Sequence, residues 1–126
     1  MLAFPNGAAS AYGSVIRSTE APRDIELRVF EKVTAALEGA AAPDAHFTQK
    51  IQAAHDNRVL WQTLAADLAG EDNALPVDLR ARLLSLAIWV AREAERVIHQ
   101  GAGVQDMIEI NRSIMLGLRT STQGAV

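Results

Sequence analysis

The sequence predicts an all-α protein, a single-domain helical bundle of about four helices with a partly ordered N-terminal arm. Apolar residues recur at the 3.6-residue spacing of helices in four successive segments. Breaks that contain Gly or Pro separate these segments, and connections of this length are typical of a bundle. The chain contains no alternating run of β-branched residues and no internal repeat, so strands and solenoid architectures are not expected.

The composition is that of one soluble domain. The chain has 126 residues, of which 49% are hydrophobic and 21% charged, while aromatics make up only 5%. The formal net charge of −3 disfavours a nucleic-acid-binding protein, which normally needs a basic surface. With no cysteine, disulfides and thiolate sites are excluded. The N-terminus lacks the basic-then-apolar pattern of a signal peptide, and no apolar run is long enough for a membrane span, so a cytoplasmic location is expected.

The N-terminal half predicts an arm and two helices. Residues 1–21 are rich in Gly and Ala, and we expect order there only where Tyr12, Val15 and Ile16 dock on a surface. The helical domain then covers residues 22–118. The first helix is predicted over 22–39, with Pro22 in its first turn. The second is predicted from residue 43 or 44 to 69, with an apolar face that includes Phe47, Ile51, Ala54, Trp61, Leu64, Ala65 and Leu68.

Two further helices and a tail complete the prediction. Pro76 begins the third helix, which should cover 76–100 and end at "GAG". The fourth helix should cover 104–118, and residues 119–126 should form a flexible tail.

The third helix has an unusually wide apolar arc. Leu84, Ile88 and Ala91, all within the stretch "LLSLAIWVA", widen the main apolar stripe on one side. The main stripe consists of Leu79, Leu83, Leu86, Ala87, Val90, Ala94, Val97 and Ile98. A helix that is apolar over most of its circumference is usually buried, so this helix is predicted to be central and to contact two or three others.

Trp89 falls outside that arc. It lies on the charged side of the helix, with Arg92, Glu93 and Arg96. In one interpretation, the indole is covered within the chain, by the arm, by another helix or by the aliphatic parts of arginine side chains. In the other, Trp89 is an exposed anchor for a partner protein. The exposed-anchor interpretation predicts that Trp89→Ala weakens partner binding more than it lowers the melting temperature. The partner-binding candidates are Trp89, Arg92, Arg96, Leu116 and Trp61.

Two polar residues interrupt predicted apolar faces. Arg58 lies between Ala54 and Trp61 on the second helix, so its guanidinium needs a carboxylate or carbonyl partner, or must extend to solvent. A phosphate or substrate site is a second interpretation. Asn111 lies within the apolar face of the fourth helix, where a polar residue often fixes register through hydrogen bonds. We therefore assign structural roles to both residues.

No residue set predicts chemistry. His46, His55 and His99 are scattered, and neither a zinc-binding His motif nor a Ser/His/Asp arrangement is recognisable. Asp106 and Glu109 are three residues apart, a spacing typical of a solvated helix face. We expect no catalytic residue, no metal site and no cofactor, and we do not expect an enzyme.

The order of residues nevertheless resembles a known family. The segments "NRVLWQTLAADLAGEDNALPVDLRARLLSLAIWVARE" and "DMIEINRSIMLGL" are similar to the FlaF family of flagellar biosynthesis regulators. The N-terminal "AYGSVIRSTEAPRDIE" also resembles that family's opening. The positions that carry the resemblance are Asn57, Arg58, Leu60, Trp61, Leu64, Asp67, Leu68, Asn73, Leu75, Pro76, Leu79, Arg80, Ala81, Ser85, Trp89, Val90, Ile108, Glu109, Ile110, Asn111, Gly117 and Leu118. The linker near residues 40–46 and the tail depart from the pattern.

The resemblance implies a role in flagellum assembly. It implies a secretion chaperone that binds the amphipathic terminal helices of flagellin. The same protein would positively regulate flagellin synthesis and export. The alternative is a post-transcriptional regulator of flagellin mRNA translation that acts against the repressor FlbT. Functional antagonism with FlbT is implied in either case, and the acidic balance disfavours direct contact with RNA.

Overall fold

Four helices make up the part of the chain that the structure describes. This structure, a computed structural model, describes the backbone of residues 22–124 and the side chains of residues 27–119. Within that part, the helices are α1 (Pro22–Ala40), α2 (Phe47–Ala69), α3 (Val77–Gln100) and α4 (Gln105–Gly124), and no strand is present. The predicted all-α fold is confirmed. The predicted arm, residues 1–21, lies outside the described residues.

Two helix boundaries differ from the sequence prediction by more than one residue. The second helix begins at Phe47, after the position expected, because the chain first makes further turns in which Ala41 N donates to Leu37 O and Ala45 N donates to Ala42 O. The fourth helix does not end at Leu118 but continues to Gly124, so the predicted start of the tail at residue 119 is wrong. No Pro or Gly lies between Leu118 and Gly124 to stop the helix.

Helix packing places α1 and α2 at the centre. The close helix pairs are α1 with α2, α1 with α4, and α2 with α3. The prediction that the third helix is the central one is therefore wrong, since α3 packs mainly on α2. A helical wheel shows which residues share a face, but it does not show which faces a neighbour covers. Ile88, assigned to the widened buried arc, is instead 57% exposed, and Leu79 of the predicted stripe is also exposed.

The core lies where α1, α2 and α4 meet and continues between α2 and α3. Phe30 and Trp61 meet edge to face at its centre, with ring centroids 5.8 Å apart. The apolar side chains buried in the core are Phe30, Leu37, Ala40, Ala53, Ala54, Leu60, Trp61, Leu68, Ala87, Val90, Ala94, Val97, Val104, Met107, Ile108 and Met115. Few aromatics are present, so close packing depends on Ala, Val, Leu and Met, as the composition indicates.

The end of α3 matches the sequence signal. Gly101 follows the helix with φ of +70°, in the left-handed region, and its backbone N–H and that of Ala102 both donate to Arg96 O. This turn directs the chain into α4 after only a few residues. Among the described residues, no helix combines the length and apolarity that crossing a membrane would need.

Candidate functional site

A buried polar cluster joins three helices. We define it as Thr34 on α1, Asn57 and Trp61 on α2, and Met107 and Asn111 on α4. Trp61 Nε1 donates to Asn111 Oδ1 at 2.9 Å. Asn111 Nδ2 donates to Asn57 Oδ1 at 2.7 Å and to Thr34 Oγ1 at 3.1 Å, which uses both of its N–H groups. Asn57 Nδ2 contacts Met107 Sδ at 3.4 Å.

Helical spacing assembles the buried polar cluster. Asn57 and Trp61 are four residues apart on α2, and Met107 and Asn111 are four apart on α4, so each pair lies on one face of its helix. Asn111 is 0% exposed, and Asn57 and Thr34 are also buried. Sequence reasoning identified Asn111 but missed Asn57 and Thr34 as buried residues. The signal for Asn57 was its position one helical turn before the core residue Trp61.

Trp61 is not a surface residue. It is 0% exposed, packs against Phe30 and donates its indole N–H to Asn111. The prediction that Trp61 contacts a partner is therefore wrong for the folded chain, because a partner would have to open the core to reach it. Its large apolar area and its one polar atom are both used within the chain.

Arg58 forms an ion pair between helices. Its Nη1 lies 2.5 Å from Glu95 Oε1, so it links α2 to α3, and the same carboxylate lies 3.1 Å from His99 Nε2. The Arg58 side chain is about one third exposed, so it extends from the apolar face toward solvent. The structure thus shows the carboxylate partner that the sequence required and gives no support to an anion site at Arg58.

The remaining partner-binding candidates lie on two helices. Trp89 is half-buried and packs against the core, which favours the interpretation that other parts of the chain cover much of its indole. Arg92 is exposed beside it. Arg96 is more than half exposed and pairs with Glu93 at 2.5 Å. Leu116 lies on α4 and is 63% exposed. We call Trp89, Arg92 and Arg96 the Trp89 face.

Glu93 departs from its expected environment. The helical wheel placed it among the charged, solvent-facing residues of the third helix, yet its side chain is almost fully buried. The Arg96 guanidinium supplies the opposite charge that such a carboxylate needs. Burial therefore extends around α3 toward Trp89 and Glu93, rather than toward Ile88. Among the described residues, no three His, Asp or Glu side chains are grouped so that they could hold a metal ion.

Comparison with known families agrees with the residue pattern. A family model described as flagellar protein FlaF matches residues 8–118. The chain belongs to the FlaF family. No curated protein and no solved structure matches it. Family membership makes it a flagellum-related protein.

The two sequence segments that carry the FlaF resemblance meet in the buried polar cluster. Asn57 and Trp61 come from the "NRVLW" block, and Asn111 comes from "IEIN". Hydrogen bonds connect the two segments directly, although they are far apart along the chain. In this FlaF-family chain, these motif residues therefore stabilise the arrangement of the helices.

Proposed function

We propose that this FlaF-family chain binds flagellin in the cytoplasm as a secretion chaperone and so supports flagellin synthesis and export. The observation that carries the proposal is the match of residues 8–118 to a flagellar protein family. The function is that of a binding protein, not of an enzyme, and it needs no cofactor. The client segments would be the amphipathic terminal helices of flagellin.

The exposed side chains of α3 and α4 support such a role. An amphipathic client helix docks through apolar anchors surrounded by a polar rim. The Trp89 face offers the exposed part of an indole beside Arg92 and Arg96, and Leu116 offers a further exposed apolar side chain on α4. Arginine and tryptophan are common in binding hot spots. We therefore assign client binding to the Trp89 face, with Leu116 as a second candidate contact.

The regulatory effect follows from client binding. A chaperone that removes free flagellin, or that competes for a shared partner, changes flagellin synthesis without contact to RNA. Functional antagonism with FlbT is consistent with this indirect route. Coupled ordering of a client segment costs free energy, so the complex should be firm enough to protect flagellin but still releasable for export.

Calorimetry with purified monomeric flagellin tests the proposal. We expect a complex with a dissociation constant of tens of micromolar or tighter. Arg92→Glu should weaken it by about fivefold or more, because it places an acidic group in the Trp89 face. Lys32→Glu makes the same charge change at an exposed position of α1 and should leave affinity within about twofold.

Two results would contradict the proposal. One is the absence of any complex at tens of micromolar, with this chain shown to be folded and flagellin shown to be monomeric. The other is a tight RNA complex whose affinity falls steeply with salt, which would support the alternative of an mRNA-directed regulator.

A further inference from the structure

A second apolar row runs along α3, outside the face that packs on α2. We call it the outer α3 stripe: Val77, Ala81, Leu84, Ile88 and Ala91. Successive members are four, three, four and three residues apart, the spacing of a coiled-coil seam. Val77 is 69% exposed and Ile88 57% exposed. Ala81 is exposed as well, whereas Leu84 and Ala91 are half-buried at the edge toward the rest of the protein.

The residues beside the outer α3 stripe carry a self-complementary charge pattern. Asp78, Ser85 and Arg92 follow one another at intervals of seven residues, and all three are exposed. In a coiled coil, residues at this spacing line one flank of the seam and select the partner and its direction. Opposite charges lie at equal distances on either side of Ser85. When the helix is reversed, each charge therefore lies opposite a residue of the opposite charge.

This charge symmetry indicates that the partner of the outer α3 stripe is a second copy of the same helix. When two copies of α3 pair in antiparallel fashion about Ser85, Asp78 of each copy lies beside Arg92 of the other. In a parallel pair the same flanking positions lie on opposite sides of the seam, so the contacts between Asp78 and Arg92 would not form.

The apolar layers fit the same register. The seam layers of an antiparallel coiled coil with these flanking pairs set Leu84 against Ile88 of the second copy, so the bulky side chains fill the middle of the interface. Ala81 then lies opposite Ala91 of the second copy, and these small side chains let the helices approach closely on either side. Burying the exposed Ile88 side chain against Leu84 of the second copy removes apolar surface from water, which supplies the driving force for pairing.

We propose that the chain forms a two-fold symmetric homodimer through antiparallel pairing of the outer α3 stripe. The proposal does not depend on flagellin binding. The Trp89 face lies further round α3 and shares only Arg92 with the flank of the stripe. Ile88 belongs to the stripe alone and Trp89 to the face alone, so Ile88→Lys and Trp89→Ala change the two surfaces separately.

Sedimentation equilibrium of the full chain, over about 1 to 300 µM, tests self-association. We expect a reversible transition from the 13.6 kDa monomer to twice that mass. Ile88→Lys should weaken dimerisation by at least about tenfold, because it would bury a charge in the seam. Since the Ile88 side chain is already more than half exposed, the melting temperature of the Ile88→Lys variant should differ little from that of the wild type. Leu116→Lys, the matched change on α4, should dimerise normally.

Charge exchange tests the direction of pairing. Asp78→Arg and Arg92→Asp should each weaken the dimer, and the double variant Asp78→Arg/Arg92→Asp should restore it, because only antiparallel pairing brings these positions together. A double variant no tighter than the single ones would overturn the antiparallel arrangement. A wild-type chain that stays monomeric throughout the concentration range would overturn the dimer itself. If Ile88→Lys then abolished flagellin binding, the stripe would belong to the client.

Discussion

At the scale of single residues, Asn111 connects three helices through one amide group. Its Oδ1 accepts from Trp61 and its Nδ2 donates to Asn57 and Thr34. Asn111→Leu fills a similar volume but leaves three buried polar groups without partners. Each unsatisfied group costs about 1–3 kcal/mol, so we expect the free energy of unfolding to fall by about 3 kcal/mol or more. Denaturation with urea, followed by circular dichroism, measures this loss.

Ser113 provides the control on the same helix. It is exposed, and its hydroxyl donates only to Glu109 O of its own helix. Ser113→Ala should change stability by no more than about 0.5 kcal/mol. If Asn111→Leu were as stable as the wild type, the buried polar cluster would not contribute to helix register as its geometry indicates. The Asn111→Leu variant should remain helical even though its packing is altered.

Trp89 needs a prediction that separates stability from binding. Because its indole is half-buried and packs against the core, Trp89→Ala should lower the free energy of unfolding by about 1–2 kcal/mol. Thermal melts measure that loss. Calorimetry with flagellin, at a temperature where the variant is fully folded, measures the binding effect separately. Unchanged affinity together with a large loss of stability would remove Trp89 from the client-binding surface.

At the scale of elements, the turn between α3 and α4 depends on Gly101. Its φ of +70° suits glycine, and an L side chain there is strained even though a Cβ would meet no atom within 4 Å. Gly101→Ala should therefore reduce the free energy of unfolding by about 1 kcal/mol. Gly103 is the matched control, since its Cβ would also meet open space and its φ is not positive. Gly103→Ala should be neutral or slightly stabilising in the same denaturation experiment.

The ion pair between Arg58 and Glu95 ties α2 to α3 from the outside. Both side chains are at least one third exposed, so solvent weakens their attraction. A double-mutant cycle with Arg58→Met and Glu95→Gln should give a coupling energy of about 0.2–1 kcal/mol, falling as salt is added. A coupling well above this range would show that the pair is shielded from solvent in solution.

Sequence reasoning predicted where the helices begin and end better than it predicted which helices pack against each other. Pro76 and Gly101 marked the ends of α3 because backbone geometry at these positions depends on residues close in sequence. The placement of α3 at the centre was wrong because a wide apolar arc does not reveal how much of it another helix covers. Ile88 remains exposed for that reason. Thr34 and Asn57 were missed because their burial depends on three helices that are distant in the sequence.

At the scale of the whole molecule, different interhelical contacts stabilise the positions of the four helices. The buried polar cluster links α1, α2 and α4, and exposed ion pairs add to it, Arg112 with Glu38 and Arg119 with Glu31. The close packing of α3 is on α2. An opening motion that releases α3 would therefore expose one face of α2 and leave the buried polar cluster intact, whereas an opening of α4 would break it.

Native-state hydrogen exchange tests this difference between the helices. With added denaturant, amides in the middle of α3 should exchange at a lower opening free energy than those of α2 near the buried Asn57. Glu95→Gln should lower protection in α3 and leave α4 unchanged, because the carboxylate contacts Arg58 of α2 and His99 of α3 but no residue of α4. Arg112→Gln is the counterpart on α4 and should not affect α3. Equal protection in all four helices, in the wild type and in both variants, would show that the chain opens as one cooperative unit.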